Sequence, residues 1–528
     1  MTTLWSQNFS KVPVTEDKTV ESNEIAFSGA EQAIIAKSGS GLFKKYVVGD
    51  HLRIRNAKNL DNNVSAEVVG KPSNDKLILK RYAYSPSVVR NLVTESSGRM
   101  ILVENGMKTS DYNDAFYGVT GDVSSPAFGR IIDDPTTDQP SRVFELFSPF
   151  DKSLSEDSVH FHSDFAALPN GVGHREMYFG YWVYFCPGRA HGFLASEISA
   201  DHTGDIVLDN VYRPEDFPRD WWLPQGSGPG NKSTNQQGQG AMEIILGDPT
   251  DIANCEIILY QFFDGKNKFT GNKTRSWRNT KKQKWPKGTR VTIGYGWGYG
   301  EKLPGMKFGK RLLNATDAGI KFASCRTFQS IRFGIKPYYW GVPNIYRWDG
   351  DESRHNPKSL HAGYDAIAPG YDGGPVLLLP SLWTAYEYRI KQSSGKGKAD
   401  GEIDLWINKD HVIAARNIIW RKDNAEDQME YVNFMAFAAN RGGGADVEFH
   451  TQKDELKYFS NFQIGTNRLH VYENGRLPEL PPAPAPGPAP SPGPGPEPGN
   501  DFSLSFEGTL TINQERYNVN LKVDKEKS

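Results

Sequence analysis

Residues 178–185 read YFGYWVYF, residues 290–297 read RVTIGYGW and residues 402–408 read EIDLWIN. In each stretch large apolar or aromatic residues recur with the period of two that places alternate side chains on one face of a strand. Moving outward from these stretches, apolar spacing at i, i+3, i+4 and i+7 is scarce, and clusters of Gly, Pro, Asp and Asn interrupt the chain repeatedly. With 52 Gly, 33 Pro and 12% aromatic residues in a chain of 528, this is the texture of short strands joined by tight turns. The expectation is an all-β protein built on an antiparallel sandwich.

The chain divides by composition. Residues 1–95 hold strand-like runs such as DHLRIRNAK, NNVSAEVVGK and KLILKRYAY, expected as a small β attachment domain. Residues 96–140 are turn-rich and polar, expected as a connecting segment. Residues 141–477 carry a dozen or more strand candidates, expected as one two-sheet jelly roll with long loops near 224–240 and 349–374. Residues 478–499 contain PELPPAPAPGPAPSPGPGPEP, which forms neither helix nor ladder because proline fixes φ and lacks a donor. Residues 500–528 alternate around an NQE turn and predict a β-hairpin module. A hairpin alone is marginal in water, so it is expected to dock on a partner or on copies of itself.

Several function classes are disfavoured. Cys186, Cys255 and Cys325 are odd in number and widely spaced, which suits buried free thiols better than disulfides or zinc. The start, MTTLWSQNFSK, lacks a basic segment followed by an apolar core, and no run of 18 apolar residues occurs. Neither a secretion signal nor a membrane span is expected, and an extracellular role would need another exit, such as lysis releasing virus particles. Phosphate-loop, dinucleotide, zinc-protease and esterase motifs are absent, and no cofactor is expected. His160 and His162 alternate in VHFHSD but lack a third metal ligand at a suitable spacing, and are taken as ordinary strand residues. The acids of loops 349–374 lack calcium-loop spacing, so no metal is expected.

Net charge is −2, yet between Lys266 and Arg311 there are 14 Lys or Arg against one acid, Glu301. Trp277, Trp285, Trp297 and Tyr299 are interleaved with them. Cations beside aromatic platforms suit an acidic sugar polymer, or a single strand of nucleic acid. Nucleic acid is the weaker option, since the run lacks a known reading motif. A solvated basic face over aromatic core is the alternative.

Five stretches follow one another: EKLPGMKFG (301–309), SIRFGIKPYYWGVPNIYRWDG (330–350), WTAYEYRIKQ (383–392), DGEIDLWINKDHVI (400–413) and FMAFAANRGGGADVEF (434–449). Together they resemble the concanavalin-A-like jelly-roll polysaccharide lyases acting on alginate or glucuronan, over about 150 residues. The resemblance implies elimination across a uronic acid, with Lys302, Arg332 and Arg389 neutralising the carboxylate and Tyr338 and Tyr346 as base and acid. It implies substrate contacts from Lys336, Trp340, Trp348, Lys391 and His355. A tyrosine base requires neighbouring cations to lower its pKa. Glu402 and Asp404 also resemble the acidic strand of retaining β-glucanases, but Trp406 stands where the third carboxylate is needed. Residues 49–79 resemble small β-modules of tailed-phage virion proteins. The expected function is therefore a virion protein, in a tail or surface appendage, binding acidic host polysaccharide. Two alternatives stay open: a polysaccharide lyase, or a purely structural virion component. Expected partners are the polysaccharide, other virion proteins and further copies of the chain, in a homo-oligomer or larger assembly.

Overall fold

The computed structural model describes residues 3–81, 91–108, 110–116, 119–120, 129–137, 141–148, 159–164, 174–188, 191–212, 242–294, 303–308, 319–326, 342–348, 358–363, 365–371, 373–374, 376–420, 432–439, 455–476, 504–512 and 515–523. It divides into two units, 1–479 and 480–528. Among the described residues the only helical elements are Asp111–Ala115 and the single turn Leu60–Asn62; the rest is strand and loop, as the period-two texture predicts.

The first unit is organised on an eight-stranded antiparallel sheet. Its spatial order is Gly129–Asp133, Arg142–Ser148, Glu455–Gly465, Glu176–Phe185, Trp383–Lys391, Gly401–Ile407 and Asp410–Ile418, with Thr3–Gln7 also paired on Glu455–Gly465. The opening stretch supplies the reason for its central position. Met177, Phe179, Tyr181, Val183 and Phe185 enter the core, and so do Tyr386, Tyr388 and Ile390 of the next strand. Each such side chain contributes roughly 1.5–3 kcal/mol of burial. Tyr181 donates its hydroxyl to Pro304 O at 3.2 Å, which satisfies a polar tip inside the apolar layer. Gly401 is required where it stands, since a Cβ there would collide with the ring of buried Trp420.

A second layer closes the sandwich through Leu303, Met306, Ile345 and Ala362, which share that core. It comprises a four-stranded sheet ordered Gly305–Phe308, Val432–Ala439, Val159–Asp164, Val119–Thr120, and a three-stranded sheet ordered Gly319–Arg326, Val342–Trp348, Lys358–His361. Gly305–Phe308 and Gly319–Arg326 lie next to each other.

Two further modules have cores of their own. A seven-stranded sheet takes in strands from Val20–Ser22 to Ile101–Gly106 around Phe27, Ile34, Leu52, Val68 and Leu77. A six-stranded sheet, running from His191–Phe193 to Arg290–Ile293, encloses Ile244, Ile258, Tyr260, Phe269 and Val291. Here the structure differs from the expected partition. Thr3–Gln7 belongs to the large sheet, Ile101–Gly106 completes the N-terminal module, and Gly129–Asp133 edges the large sheet, so 96–140 is more than a connection. Strands within 191–293, expected in the jelly roll, form the inserted six-stranded module instead. The reason is physical: a period-two pattern fixes which side of a strand is buried, while the sheet it joins depends on pairing between distant segments.

The N-terminal module is locked to the large sheet by buried charge. Within the module Arg53 Nε donates to Glu104 Oε2 at 2.6 Å and Arg55 Nε to the same oxygen at 2.9 Å, within the sheet Arg130 Nε donates to Glu145 Oε1 at 2.6 Å, and across the junction Arg53 Nη2 lies 3.7 Å from Glu145 Oε1 and Arg130 Nη2 3.7 Å from Glu104 Oε1. The Arg53 guanidinium also lies 3.7 Å from the centroid of the Phe147 ring. Burial works to raise the Glu104 carboxyl, but the three guanidiniums outweigh it and hold its pKa down at about 2.

Candidate functional site

The large sheet's outer side, away from the core, carries Glu176, Arg389, Lys391, Glu402 and Asp404 in facing register. Arg389 donates through Nε to Glu176 Oε1 at 2.6 Å, and through Nη1 to Glu402 Oε2 at 2.7 Å and Asp404 Oδ2 at 2.6 Å. Lys391 Nζ donates to Glu402 Oε1 at 2.8 Å. Asp404 further accepts from Arg416 Nη2 at 2.7 Å and lies 2.8 Å from His411 Nε2. Burial opposes ionisation of Asp404, yet its bonds to His411, Arg416 and Arg389 bring its pKa down to about 2. Burial also disfavours the Arg389 cation, and its bonds to Glu176, Asp404 and Glu402 more than reverse that, raising its pKa. Trp406 is covered as well, by the Arg468 guanidinium 4.0 Å from the ring centroid and the His411 ring at 4.5 Å. Three cations and three carboxylates neutralise one another here. Arg389 and Lys391, expected to meet a substrate carboxylate, are committed to the protein's own.

The basic run behaves similarly. Arg275 makes a two-point contact with Glu256, Nε to Oε1 at 2.6 Å and Nη2 to Oε2 at 2.8 Å, and Trp285 Nε1 donates to Glu256 Oε2 at 2.8 Å. Arg278 pairs with Glu243, which also accepts from Trp277 Nε1 at 2.7 Å. Lys282 and Lys284 reach Asp201 and Glu197 at 3.3 and 2.8 Å. Trp285 is buried in the module core. Arg275, Arg278, Lys282 and Lys284 are thus paired with acids from other segments of the inserted module, and Trp277 and Trp285 donate to the same buried carboxylates, so these residues do not line the open trough expected there. The sequence hides this because each acid lies 19 to 35 positions from its arginine.

The second layer differs. Met306 is buried in the core, so positions 305 and 307 fall on the strand's other side. Across the register Gly305 faces Ala436, which faces His162, which faces Thr120; Lys307 faces Phe434, which faces Asp164; and His160 faces Ala438. Directly opposed residues of antiparallel strands share a face. Positions 160, 162, 164 and 307 therefore occupy one side of the sheet, the side away from the core, together with positions 120, 305, 434, 436 and 438. In the adjoining sheet Ile345 is buried, placing Asn344, Tyr346 and Trp348 on the alternate side, with His361 opposite Asn344.

Of the expected site residues, Tyr346 and Trp348 are thus on the second layer, while Arg389 and Lys391 are on the far side of the core from them. The sandwich separates the two pairs, and they share no groove. Lys302, Arg332, Tyr338, Lys336, Trp340 and His355 lie outside the described residues. Sequence reasoning set aside His160 and His162 by applying a metal-ligand template. The usable signal was the alternation itself in VHFHSD.

No protein-family description matches the sequence, and no curated protein matches it. Among solved structures the chain is similar to a marine PL-14 alginate lyase from Aplysia kurodai, at 13% identity, covering 68% of this chain and 94% of that one with a TM-score of 0.33. It is also similar to an alginate lyase from Chlorella virus, at 11% identity over 63% and 87% with a TM-score of 0.24. A third likeness is to an endo-beta-1,4-glucuronan lyase from the fungus Trichoderma reesei, at 7% identity over 64% and 87% with a TM-score of 0.26. Overlaps at this level fix neither a fold nor an activity.

Proposed function

We propose that the outer side of the second layer binds a uronate-containing polysaccharide and cleaves it by β-elimination. The observation that carries the proposal is the register placing His160, His162 and Lys307 on one face, with Tyr346 on the same side of the adjoining strands. Elimination needs three things of a site. A cation offsets the substrate carboxylate so that the neighbouring carbon becomes acidic, a base removes its proton, and an acid protonates the departing glycosidic oxygen. Lys307 supplies the first. A histidine, whose ordinary pKa lies near neutrality, supplies the base, and Tyr346 the acid. The electron pair left by the proton forms the new carbon–carbon double bond as the carbon–oxygen bond breaks. This histidine base replaces the tyrosine base expected from sequence, and removes the need to depress a phenol.

The test is incubation of the full chain with alginate, glucuronan or host capsule, following the ultraviolet absorbance of the conjugated double bond. Growth of that band, abolished in the double variant His160→Ala/His162→Ala, supports the proposal. Retention of the polymer with no new band replaces elimination with recognition alone. The setting suggested by the N-terminal resemblance, a virus particle that carries the chain to a polysaccharide-coated host, is proposed on sequence grounds. Antibody labelling of purified particles tests it.

A further inference from the structure

A cleft opens where the N-terminal module meets the edge of the large sheet, between residues 12–18 on one hand and residues 105–108 with the short helix Asp111–Ala115 on the other. Its walls are held in place. Thr15 N donates to Ile131 O at 2.9 Å and Thr15 Oγ1 accepts from Ile131 N at 3.0 Å, which lays this part of the chain on the edge strand Gly129–Asp133. Asn105 fixes the residues that follow, accepting from Lys18 N at 2.8 Å and donating to Glu16 O at 2.6 Å. The floor is a buried ion pair. Lys18 Nζ donates to Asp50 Oδ2 at 2.8 Å, Val47 N donates to the same oxygen at 2.8 Å, and Lys108 Nζ lies 3.3 Å from Oδ1. Both ammonium groups are thus engaged by Asp50. The other carboxylates of the lining are freer. Glu16 is 70% exposed and meets Lys18 only at 3.8 Å, and Asp114 makes no hydrogen bond or ion pair among the described residues. Two lysines against four carboxylates leave the lining at −2. Much of the remaining wall is apolar, from Val12, Val14, Met107 and Ile131.

We propose that this cleft binds a small organic cation, an ammonium or guanidinium group carried on a short aliphatic stem. The charge of the lining selects a cation, with Glu16 and Asp114 as its acceptors. A metal ion suits the cleft less well. Asp50 is committed to its lysines, and Asp111 accepts from Lys108 N at 2.9 Å and Ser110 Oγ at 3.1 Å. Among the described residues no three His, Cys, Asp or Glu side chains are grouped to hold a metal. The apolar wall gives the stem a surface on which to leave water. At about 280 Å³ the space lies just below the roughly 300–1,000 Å³ of clefts that take larger ligands, which suits a molecule the size of one long side chain. A free diamine and a lysine or arginine side chain of a partner share this chemistry. The proposal is independent of the polysaccharide reading, since it involves no residue of the second layer.

The test is calorimetric titration of the full chain with cadaverine, with pentan-1-ol as the same stem without a charge, and with the peptide acetyl-glycyl-lysyl-glycinamide. Both amines are expected to bind, and pentan-1-ol is not. The double variant Glu16→Gln/Asp114→Asn is expected to weaken both amines by roughly tenfold. Its melting temperature should stay at that of the parent, because neither side chain makes a close bond within the fold. Tighter binding of the peptide supports the proposal with a partner's side chain as the source, and tighter binding of cadaverine supports it with a free polyamine. No heat from either amine overturns it, as does pentan-1-ol binding as well as cadaverine. So would amine binding that the double variant leaves intact, or calcium that excludes cadaverine from the cleft.

Discussion

On the outer side of the eight-stranded sheet, Arg389, Lys391 and Arg416 are each within bonding distance of carboxylates from neighbouring strands. On the outer side of the second layer, His160, His162, Asp164 and Lys307 share a face with Gly305, Phe434, Ala436 and Ala438. Both surfaces belong to one sandwich, and both present chemistry-bearing residues at alternate strand positions. The difference lies in the cross-strand neighbour. Where arginine meets glutamate and aspartate, the charges satisfy each other and stabilise the sheet. Opposite His160 and His162 stand Ala438 and Ala436, and opposite Lys307 stands Phe434. A residue's type shows what chemistry it can do, whereas its partner across the ladder decides whether that chemistry is available.

The sharpest way to break this comparison is to exchange the expected roles. His162→Ala should lower the rate of uronate elimination by roughly 10²–10⁴-fold while leaving the melting temperature close to that of the parent. Arg389→Met should do the reverse, lowering the melting temperature and leaving the elimination rate unchanged. Loss of turnover in Arg389→Met at unchanged stability would return catalysis to the large sheet. A second, stability-only effect belongs to the inserted module. Glu243 and Arg278 are both buried, and Arg278→Ala removes the cation paired with this carboxylate, which also accepts from Trp277 Nε1. A cost of about 3–5 kcal/mol in denaturant unfolding is expected, with polysaccharide retention unaltered in the protein that remains folded.

These outcomes bear on how much the sequence disclosed. The all-β class was legible, because alternation in YFGYWVYF and EIDLWIN is a local property, and Met177, Phe179, Tyr181, Ile403 and Leu405 are buried as it requires. The inserted module was not, because whether Arg290–Ile293 pairs with Met242–Leu246 or with a strand of the sandwich is a long-range choice. The two arginines of the basic run misled for the same reason: Glu243 and Glu256 pair with Arg278 and Arg275 from strands earlier in the chain. That Tyr346 and Trp348 fall in a strand, Val342–Trp348, was legible as well. His160 and His162 were passed over because nothing local reveals that Ala438 and Ala436 stand beside them.

Acid sharpens the comparison further. Asp404 on the large sheet and Glu104 at the module junction both have folded-state pKa values near 2, below their ordinary 3.8 and 4.5. A depressed carboxylate stabilises the fold fully above its unfolded pKa and loses that contribution as pH falls toward the folded value. Each is therefore worth roughly 2–3 kcal/mol at neutral pH, lost progressively between pH 4.5 and pH 2. Asp404→Asn should flatten part of this acid limb in unfolding curves measured across that window.

The smallest effect tests whether the exposed lysines of the inserted module matter at all. Lys284 pairs with Glu197 at 2.8 Å, but both side chains are more than half exposed. Water screens such a pair, and holding two long side chains together costs conformational freedom, so Lys284→Ala should change stability by about 0.5 kcal/mol or less. If the basic run were a polysaccharide trough after all, the same substitution would weaken retention on an alginate column and steepen the loss with added salt. An unchanged elution profile would confine sugar handling to the second layer, because Lys284 keeps enough exposure to meet a polymer while contributing little to the fold.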